Sequence, residues 1–244
     1  MSLSRRRPRS LLWMEAHRLV AGALRRPLQG APTEDQLAQA LAALPEGPTT
    51  WVVDDLWAPA LLARDIVELP SGGEARDGFF RWRFQQAFGA EAPWSVQAIQ
   101  LPEGPWLLAG LPEATRNAWT GLAQRMDRPV ASLQPRWLWL YNRLAPTLDL
   151  PGLLLSLTRA EDGRYAGTLV AWNRGLCLLR QWEEPASPAA WNEERLAPSA
   201  AFLQREGRAP QMIHLWGAEG EWPYTGLPLQ RLDDGLLAEP EEVA

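Results

Sequence analysis

The residues best suited to acid–base chemistry are Glu15 and His17, which lie two positions apart in an apolar segment. Side chains at positions i and i+2 of a strand point to the same face, so a carboxylate and an imidazole could share a proton there. The segment from Ser10 to Arg26 predicts a strand, a turn and a second strand, with Glu15-Ala16-His17-Arg18 at the turn and no glycine in it. No nucleophile or oxyanion loop is identifiable beside the pair, so an acid–base dyad is the weaker interpretation.

Other reactive residue types do not form a recognisable site. Asp54 and Asp55 could bind magnesium as an acidic pair, but neighbouring strand residues point to opposite faces, which favours a turn or a strand end. Cys177 lies in the apolar run LCLLRQW and is predicted to be a buried, inert thiol. His17 and His214 have no cysteine or acidic residue at metal-binding spacing. We therefore predict no catalytic residue, no cofactor and no metal.

Composition excludes several classes of protein. With 46% hydrophobic and 22% charged residues, the 244-residue chain is predicted to be globular. All 24 basic residues are arginine, and the net charge of −5 argues against nucleic-acid binding. The longest apolar run is interrupted by Glu15, His17 and Arg18, so no membrane span is predicted. These features predict a cytoplasmic protein, and peripheral attachment at the inner membrane is left open.

The first half of the chain predicts strand pairs that alternate with helices. Thr33 and Gln36 fit a capping box, and the helix they open carries Leu37, Ala40, Leu41 and Leu44 on one face. The remaining predicted elements are a hairpin or bent strand pair (50–53 and 60–69), a helix (74–88), a hairpin (94–101 and 105–111), a helix (113–126) that buries Ala118, Trp119, Leu122, Ala123 and Met126, a short strand (130–133) and a helix (136–144).

The second half predicts three strands, a helix and a further strand, which is the core order of a ribonuclease H-like unit. The strands are predicted at 153–159, 165–172, 176–182 and 212–216, and Pro198 is expected to kink or split the helix that Ser187 and Pro188 open. The predicted organisation is a basic, disordered N-terminus (1–9), a first lobe (10–144), a proline-bounded hinge (145–151), a second lobe (152–235) and an acidic tail (236–244).

Several segments together resemble the actin-like scaffold proteins of type IV pilus and type II secretion systems, of the PilM, MshI and GspL-cytoplasmic kind. The resemblance spans about Leu11 to Leu232, and its motifs are element order and apolar spacing. It implies an α/β, two-lobed actin-like (ribonuclease H-like) fold in which each lobe is a mixed sheet with flanking helices. The segments that carry it are WVVDDLW, LLARDIVELP, FFRWRFQQAFG, WSVQAIQLPEGPWLLAGLP, VASLQPRWLWLYNRL and LLLSLTRAEDGRYAGTLVAWNRGLCLLRQW.

The chain departs from this family at the turns that would cradle phosphates. The resemblance implies an Asp and a Gly-Ser or Gly-Thr turn in the first hairpin, where Glu15-Ala16-His17-Arg18 stands instead. A second turn is implied at 156–159, which supplies the hydroxyls of Ser156 and Thr158 without the Asp-x-Gly core. A third, adenosine-binding loop is implied near 215–221, where Trp216-Gly217-Ala218-Glu219-Gly220 is a partial match.

These departures predict a scaffold that is not an enzyme and docks a membrane-assembly protein or a motor ATPase. Two alternatives remain: an ATP-binding actin-like ATPase with diverged phosphate loops, and an unrelated cytosolic enzyme that uses Glu15 and His17. Protein partners of an inner-membrane pilus or secretion assembly are expected, without nucleic acid, and a homodimer is left open.

Tryptophan, at 14 residues, offers a candidate partner surface. Trp119, Trp137 and Trp172 are predicted to be core residues. Trp82 and Trp139 instead point away from the apolar faces of their helices, and Trp82 is flanked by Arg81 and Arg83. Because tryptophan and arginine are frequent in interface hot spots, we predict that these four residues (Arg81, Trp82, Arg83 and Trp139) bind a partner, the alternative being that the tryptophans pack within the chain.

Overall fold

The computed structural model describes residues 10–89, 92–102, 104–144, 150–219, 222 and 226–237, which group into two compact units. Unit 1 consists of the described residues within 1–53, 117–134 and 233–244, and unit 2 of those within 54–116 and 135–232. The predicted N-terminus (1–9), most of the hinge and most of the acidic tail lie outside the described residues. The predicted lobe boundaries therefore remain predictions.

Unit 1 is built on a five-stranded mixed sheet. Its strands are β1 (Ser10–Glu15), β2 (Arg18–Ala21), β3 (Leu24–Pro27), β4 (Thr49–Val53) and β8 (Val130–Pro135), in the order β3-β2-β1-β4-β8. Strand β2 is antiparallel to both β1 and β3, and β4 is parallel to β1.

The predicted opening hairpin was too simple. Its second strand is in fact two strands, because Gly22 has a φ of +58° and turns the chain before β3. Residues with a positive φ are disfavoured unless they are glycine, so this turn depends on Gly22. The turn at Ala16 and His17 lies where the sequence predicts it.

Helix α1 (Glu34–Ala43) joins β3 to β4 and confirms the predicted capping box. The Thr33 hydroxyl accepts from the Gln36 amide at 3.3 Å, and Gln36 Oε1 accepts from the Thr33 amide at 2.9 Å. The predicted apolar face is buried. Helix α3 (Glu113–Arg125) buries Trp119, Leu122 and Ala123 as predicted, whereas Ala118 is exposed.

Unit 2 contains a second five-stranded mixed sheet with the same topology. Its strands are β9 (Gly152–Arg159), β10 (Tyr165–Trp172), β11 (Leu176–Ala186), β12 (Met212–Trp216) and β13 (Leu229–Arg231), in the order β11-β10-β9-β12-β13. Again three antiparallel strands come first, and the fourth strand is parallel to the first. The predicted ribonuclease H-like strand order is confirmed, and Cys177 is buried as predicted.

The helical connection between β11 and β12 changes its hydrogen-bond pattern midway. Ser187 caps its first turn, α5 (Pro188–Ala190), by accepting from the Ala190 amide at 3.2 Å. A π-helical segment (Trp191–Leu196) then precedes α6 (Ala197–Arg205), and the Ala197 amide bonds to the carbonyl five residues back. Pro198 has no N–H to donate, which agrees with the predicted interruption near this residue.

A third, three-stranded sheet with helix α2 (Gly73–Phe88) completes the β-structure of unit 2. Its strands are β5 (Ala60–Ala63), β6 (Trp94–Gln100) and β7 (Trp106–Pro112), in the order β5-β7-β6. The predicted pairing of 50–53 with 60–69 is wrong, because β4 and β5 belong to different sheets. Phe80 and Phe84 of α2 pack on this sheet, whereas Ala87 of the same helix is exposed.

Close backbone packing in unit 2 depends on Gly217. Its φ is +82°, and a Cβ there would lie 2.0 Å from the carbonyl oxygen of Leu157 in β9. Gly163 has nearly the same φ of +81°, but the nearest atom to its Cβ position is 3.8 Å away. Substituting Gly163 therefore introduces backbone strain alone, whereas substituting Gly217 introduces both backbone strain and a steric clash.

We predict that Gly217→Ala lowers the free energy of unfolding by at least about 2 kcal/mol more than Gly163→Ala, because only the first substitution forces β12 away from β9. Chemical denaturation of both variants measures the difference. Equal losses in the two variants would contradict the predicted steric role of Gly217.

Candidate functional site

The turn between β1 and β2 is held by its own side chains. Glu15 is 1% exposed and accepts a hydrogen bond from Arg18 Nε, and Arg18 Nη1 donates to Asp234 at 2.9 Å. The turn carbonyls of Ala16 and His17 accept from the amides of Gly30 and Leu28 at 2.9 and 2.8 Å. The turn is therefore a closed network within unit 1.

The pair proposed from sequence for acid–base chemistry is brought together there. His17 Nε2 lies 3.7 Å from a Glu15 oxygen, and half of the His17 side chain is exposed. The closer partner of Glu15 is Arg18, however. Burial lowers the pKa of the Arg18 guanidinium. The charges and hydrogen bonds of Glu15 and Asp234 together raise this pKa by more than burial lowers it, so it lies above its ordinary value. Arg18 and Glu15 thus neutralise each other.

A second network, which is fully buried, surrounds Arg136 in unit 2. Arg136 is the first residue of α4 (Arg136–Leu144), and its side chain is inaccessible to solvent. Asp54 and Asp55 follow β4 directly, while Ser156 and Thr158 lie two positions apart on β9. Alternating strand positions face the same way, so both hydroxyls can face Arg136.

The donors of Arg136 are distributed over these four residues. Nε donates to the Ser156 hydroxyl at 2.8 Å, and Nη2 donates to the Thr158 hydroxyl at 3.0 Å. Nη1 lies 3.4 Å from Asp54 Oδ2, and Nη2 lies 3.5 Å from Asp55 Oδ2. We call these five residues the Arg136 cluster. A planar guanidinium can serve several acceptors at once, which an ammonium group cannot match.

The carboxylates of the Arg136 cluster also bind backbone and hydroxyl donors. Asp54 accepts from the Thr158 hydroxyl at 2.9 and 3.0 Å and from the Leu56 amide at 3.0 Å. Asp55 Oδ1 accepts from the amide of Trp137 at 2.9 Å, in the first turn of α4. A carboxylate at this place satisfies one of the amides that a helix N-terminus leaves without an intrahelical partner.

One buried cation faces two buried carboxylates, so the charges do not balance when both acids are ionised. Burial raises the pKa of Asp55 to about 6; the charge of Arg136 lowers it by a smaller amount, and the charge of Asp54 raises it. Protonation of Asp55 leaves a balanced pair of Arg136 and Asp54. The sequence interpretation of Asp54 and Asp55 as a plain turn missed this arrangement.

The loop after β12 is also engaged by the chain's own side chains. Arg231 Nη1 donates to the Ala218 carbonyl at 2.8 Å, and Arg159 forms an ion pair with Glu219. The Tyr165 hydroxyl accepts from the Glu219 amide at 3.3 Å. Gly220, the last residue of the predicted partial match, lies outside the described residues.

The predicted partner surface is centred on α2. Trp82 is 52% exposed, and its ring lies 5.9 Å from that of Phe79. Arg81 is exposed, whereas Arg83 forms an ion pair with Asp65. Residues of α2, of β5 and of the segment after β5 line a cleft of about 210 Å³; they are Leu61, Leu62, Ala63, Asp65, Arg83, Gln86 and Ala87.

Trp139 differs from Trp82 in its surroundings. It lies on α4, is half-buried, and has the guanidinium of Arg143 5.5 Å from its ring centre. The tryptophans predicted to be core residues, Trp119, Trp137 and Trp172, are all buried, which confirms that prediction.

Within the described part of the chain, His, Cys, Asp and Glu side chains nowhere gather in groups of three or more that could hold a metal ion. None of its helices is both long enough and apolar enough to cross a membrane.

The sequence matches no protein-family model and no curated protein. Its structure, however, is similar to solved structures. A chain of the PilM–PilN type IV pilus biogenesis complex matches with a TM-score of 0.63 at 13% identity, over 92% of this chain and 88% of that chain. The cytoplasmic domain of EpsL, an inner-membrane component of the type II secretion system of Vibrio cholerae, matches with a TM-score of 0.52 at 8% identity, over 94% and 95%.

The chain has an actin-like fold of the PilM and GspL kind. The predicted α/β, two-lobed actin-like fold is thereby confirmed. In this PilM-like fold, the two predicted phosphate turns are the β1–β2 turn and the end of β9, where the networks of Arg18 and Arg136 lie.

Sequence reasoning did not identify Arg136, although a signal was present. Arg136, Leu140 and Leu144 are spaced four residues apart and are all buried on the same face of α4. A charged residue on an apolar helical stripe indicates a buried partner of opposite charge. The adjacent acidic residues after the buried strand β4 were the available candidates.

The raised pKa of Asp55 predicts how stability depends on pH. Between about pH 4 and 6 the folded chain binds more protons at Asp55 than the unfolded chain, so this residue lowers stability as pH rises. We predict that Asp55→Asn, measured against the wild type, gains about 2 kcal/mol in relative free energy of unfolding between pH 4 and pH 7.

Denaturation curves at both pH values measure this change. Asp77→Asn, at an exposed position of α2, is the matched control and should show little change. A relative stability of Asp55→Asn that stays constant or falls with pH would contradict the raised pKa.

Proposed function

We propose that this chain is a non-catalytic cytoplasmic scaffold that docks a protein component of an inner-membrane pilus or type II secretion assembly. The fold supports the proposal, because it is that of two proteins whose names place them in such assemblies. In the PilM–PilN complex the matched fold is found together with a protein partner.

The observation that carries the non-catalytic part is the Arg136 cluster. The hydroxyls of Ser156 and Thr158, which a phosphate would need, already bind Arg136 and Asp54. A phosphate at this position would also approach two carboxylates, and removing like charges from water side by side is costly.

The first hairpin supports the same conclusion independently. Anion-binding turns expose backbone amides and lack bulky side chains. Here the buried carboxylate of Glu15 lies at the turn, and the positive charge of Arg18 is shared between Glu15 and Asp234. Two different turns therefore both present internal ion pairs in place of a phosphate site.

The docking surface proposed for the partner is the Trp82 side of α2. Helix α2 carries the exposed Trp82 and also lines a cleft with Arg83, Gln86 and Ala87, so it offers a partner both a large apolar contact and a recess to fill. The pair of Arg83 and Asp65 at the cleft can orient a polar group of the partner. Arg81 and Trp139 are assigned supporting contacts.

We expect magnesium-ATP to bind no more tightly than about 1 mM, because both turns are occupied by internal ion pairs. Isothermal titration calorimetry with magnesium-ATP and magnesium-ADP tests this expectation. Saturable binding in the submillimolar range would overturn the non-catalytic proposal and favour the alternative, an actin-like ATPase with diverged phosphate loops.

We predict that Trp82→Ala weakens partner binding by at least about tenfold while the melting temperature changes by only a few degrees. The measurement is the affinity for the cytoplasmic segment of the inner-membrane pilus or secretion protein from the same organism. Leu150→Ala is the control, since Leu150 is another apolar residue that is 54% exposed. A collapse of stability in Trp82→Ala would assign Trp82 to the core instead.

A further inference from the structure

Strand β6 forms an edge of the three-stranded sheet and is unusually open for pairing. Its seven residues, WSVQAIQ, contain no charge and no proline, and Pro93 and Pro102 bound the segment on either side. Natural proteins usually protect such an edge with charges, prolines or a covering element, because its free backbone groups invite a further strand.

The other edge strands are protected. Charged residues or prolines occur in β3, β11 and β13, and at the edge of β5 the Ala60 amide donates to the side chain of Gln181. Strand β8 is uncharged but ends at Pro135. Strand β6 therefore stands apart among the described edges.

The free backbone groups of β6 can be assigned from its register with β7. Hydrogen bonds from Glu113 to Pro93 and from Leu101 to Pro105, both 2.9 Å, fix the odd-numbered positions of β6 as those bonded to β7. Since antiparallel pairs alternate, the amides and carbonyls of the even-numbered positions point away from β7. No backbone bond from another described segment reaches these residues, which are Trp94, Val96, Ala98 and Gln100.

The side chains of β6 divide between the two faces of the sheet. Trp94, Val96 and Ala98 pack toward α2, whereas Gln97 and Ile99 are on the opposite face and are exposed, Ile99 by 55%. The exposed side chain of Ile99 can therefore make an apolar contact with a strand that pairs with β6.

We propose that β6 is a self-association edge, at which two copies of this chain pair antiparallel about a two-fold axis through Gln97. In this register Trp94 pairs with Gln100 of the partner subunit, and Val96 pairs with Ala98 of the partner subunit. All four outward residues of each copy are used, which gives about eight backbone hydrogen bonds. Ile99 then covers the partner subunit's Ser95.

A second copy fits β6 in charge, in length and in the position of its prolines. The chain carries a net charge of −5, so most contacts between two copies bring like charges together. The uncharged strand β6 avoids this cost, and identical strands match in length and in their bounding prolines. Shifting the register by two residues along either strand would place a proline in the ladder or leave outward groups unpaired.

A cysteine pair tests both the dimer and its register. On the two-fold axis, Gln97 faces its own copy in a non-hydrogen-bonded pair, close enough for a disulfide. We expect Gln97→Cys to form a disulfide-linked dimer under oxidising conditions. The matched control is Ser95→Cys, which lies on the same face but opposite the partner's Ile99, and should stay unlinked. The native Cys177 is buried and does not interfere.

Sedimentation velocity over a concentration series tests the association itself. The wild-type chain should show a monomer–dimer equilibrium, and Ala98→Pro should weaken it by at least about 100-fold because an outward amide is lost in each copy. Circular dichroism confirms that Ala98→Pro is folded; Gln97→Cys remains as the test if it is not.

Three results would overturn the proposal. They are a monomeric wild type, a dimer that Ala98→Pro leaves unchanged in the folded state, and equal crosslinking of Ser95→Cys and Gln97→Cys. Binding of a strand from another pilus or secretion protein to a monomeric chain would likewise overturn it and assign the edge to that protein.

Discussion

The structure of unit 2 depends on one buried positive charge. Arg136 joins the segment after β4, the start of α4 and strand β9, three segments that are distant in sequence. Removing a guanidinium from water costs several kcal/mol unless its donors and its charge are both matched. Two carboxylates and two hydroxyls match the charge and the donors of Arg136. The two hydroxyl residues of β9 are therefore present to bind Arg136, and they do not face solvent.

This requirement explains why β9 departs from a plain core strand. Leu153, Leu155 and Leu157 face the apolar core, while Ser156 and Thr158 face Arg136. The hydroxyls at which the family resemblance implies a phosphate turn thus bind an internal cation. The same exchange is found at the first hairpin, where Glu15 and Arg18 pair with each other.

The elements were largely predictable from sequence, whereas the sheets and the cluster were predictable only in part. Periodicity and capping located α1 and α4 well, because both helices carry a clear apolar face. The pairing of β4 with β5 was wrong, since local pattern does not reveal which sheet a strand joins. The exposure of Trp82 could be predicted from helical geometry. Its role depends on a binding partner, which the sequence of this chain does not identify.

The Arg136 cluster was missed for a physical reason. Its members come from three separate segments of the chain, and each segment has an ordinary local interpretation: a turn, a helix start and a strand with two hydroxyls. Only long-range contact gives them a common role. The signal that was available was weak and lay in a single position, an arginine on an apolar helical stripe.

The composition of the cluster also limits how the protein can evolve. An arginine cannot lose its charge in a protein, so replacing both Asp54 and Asp55 leaves a buried cation without a counter-charge, and replacing Arg136 leaves two buried acids without a cation. Replacing Arg136 alone therefore gives a poorly folded intermediate, although an all-apolar replacement of the whole set could be just as stable. A lineage with this arrangement must change several residues together to replace it, which makes the appearance of a phosphate-binding turn at β9 correspondingly rare.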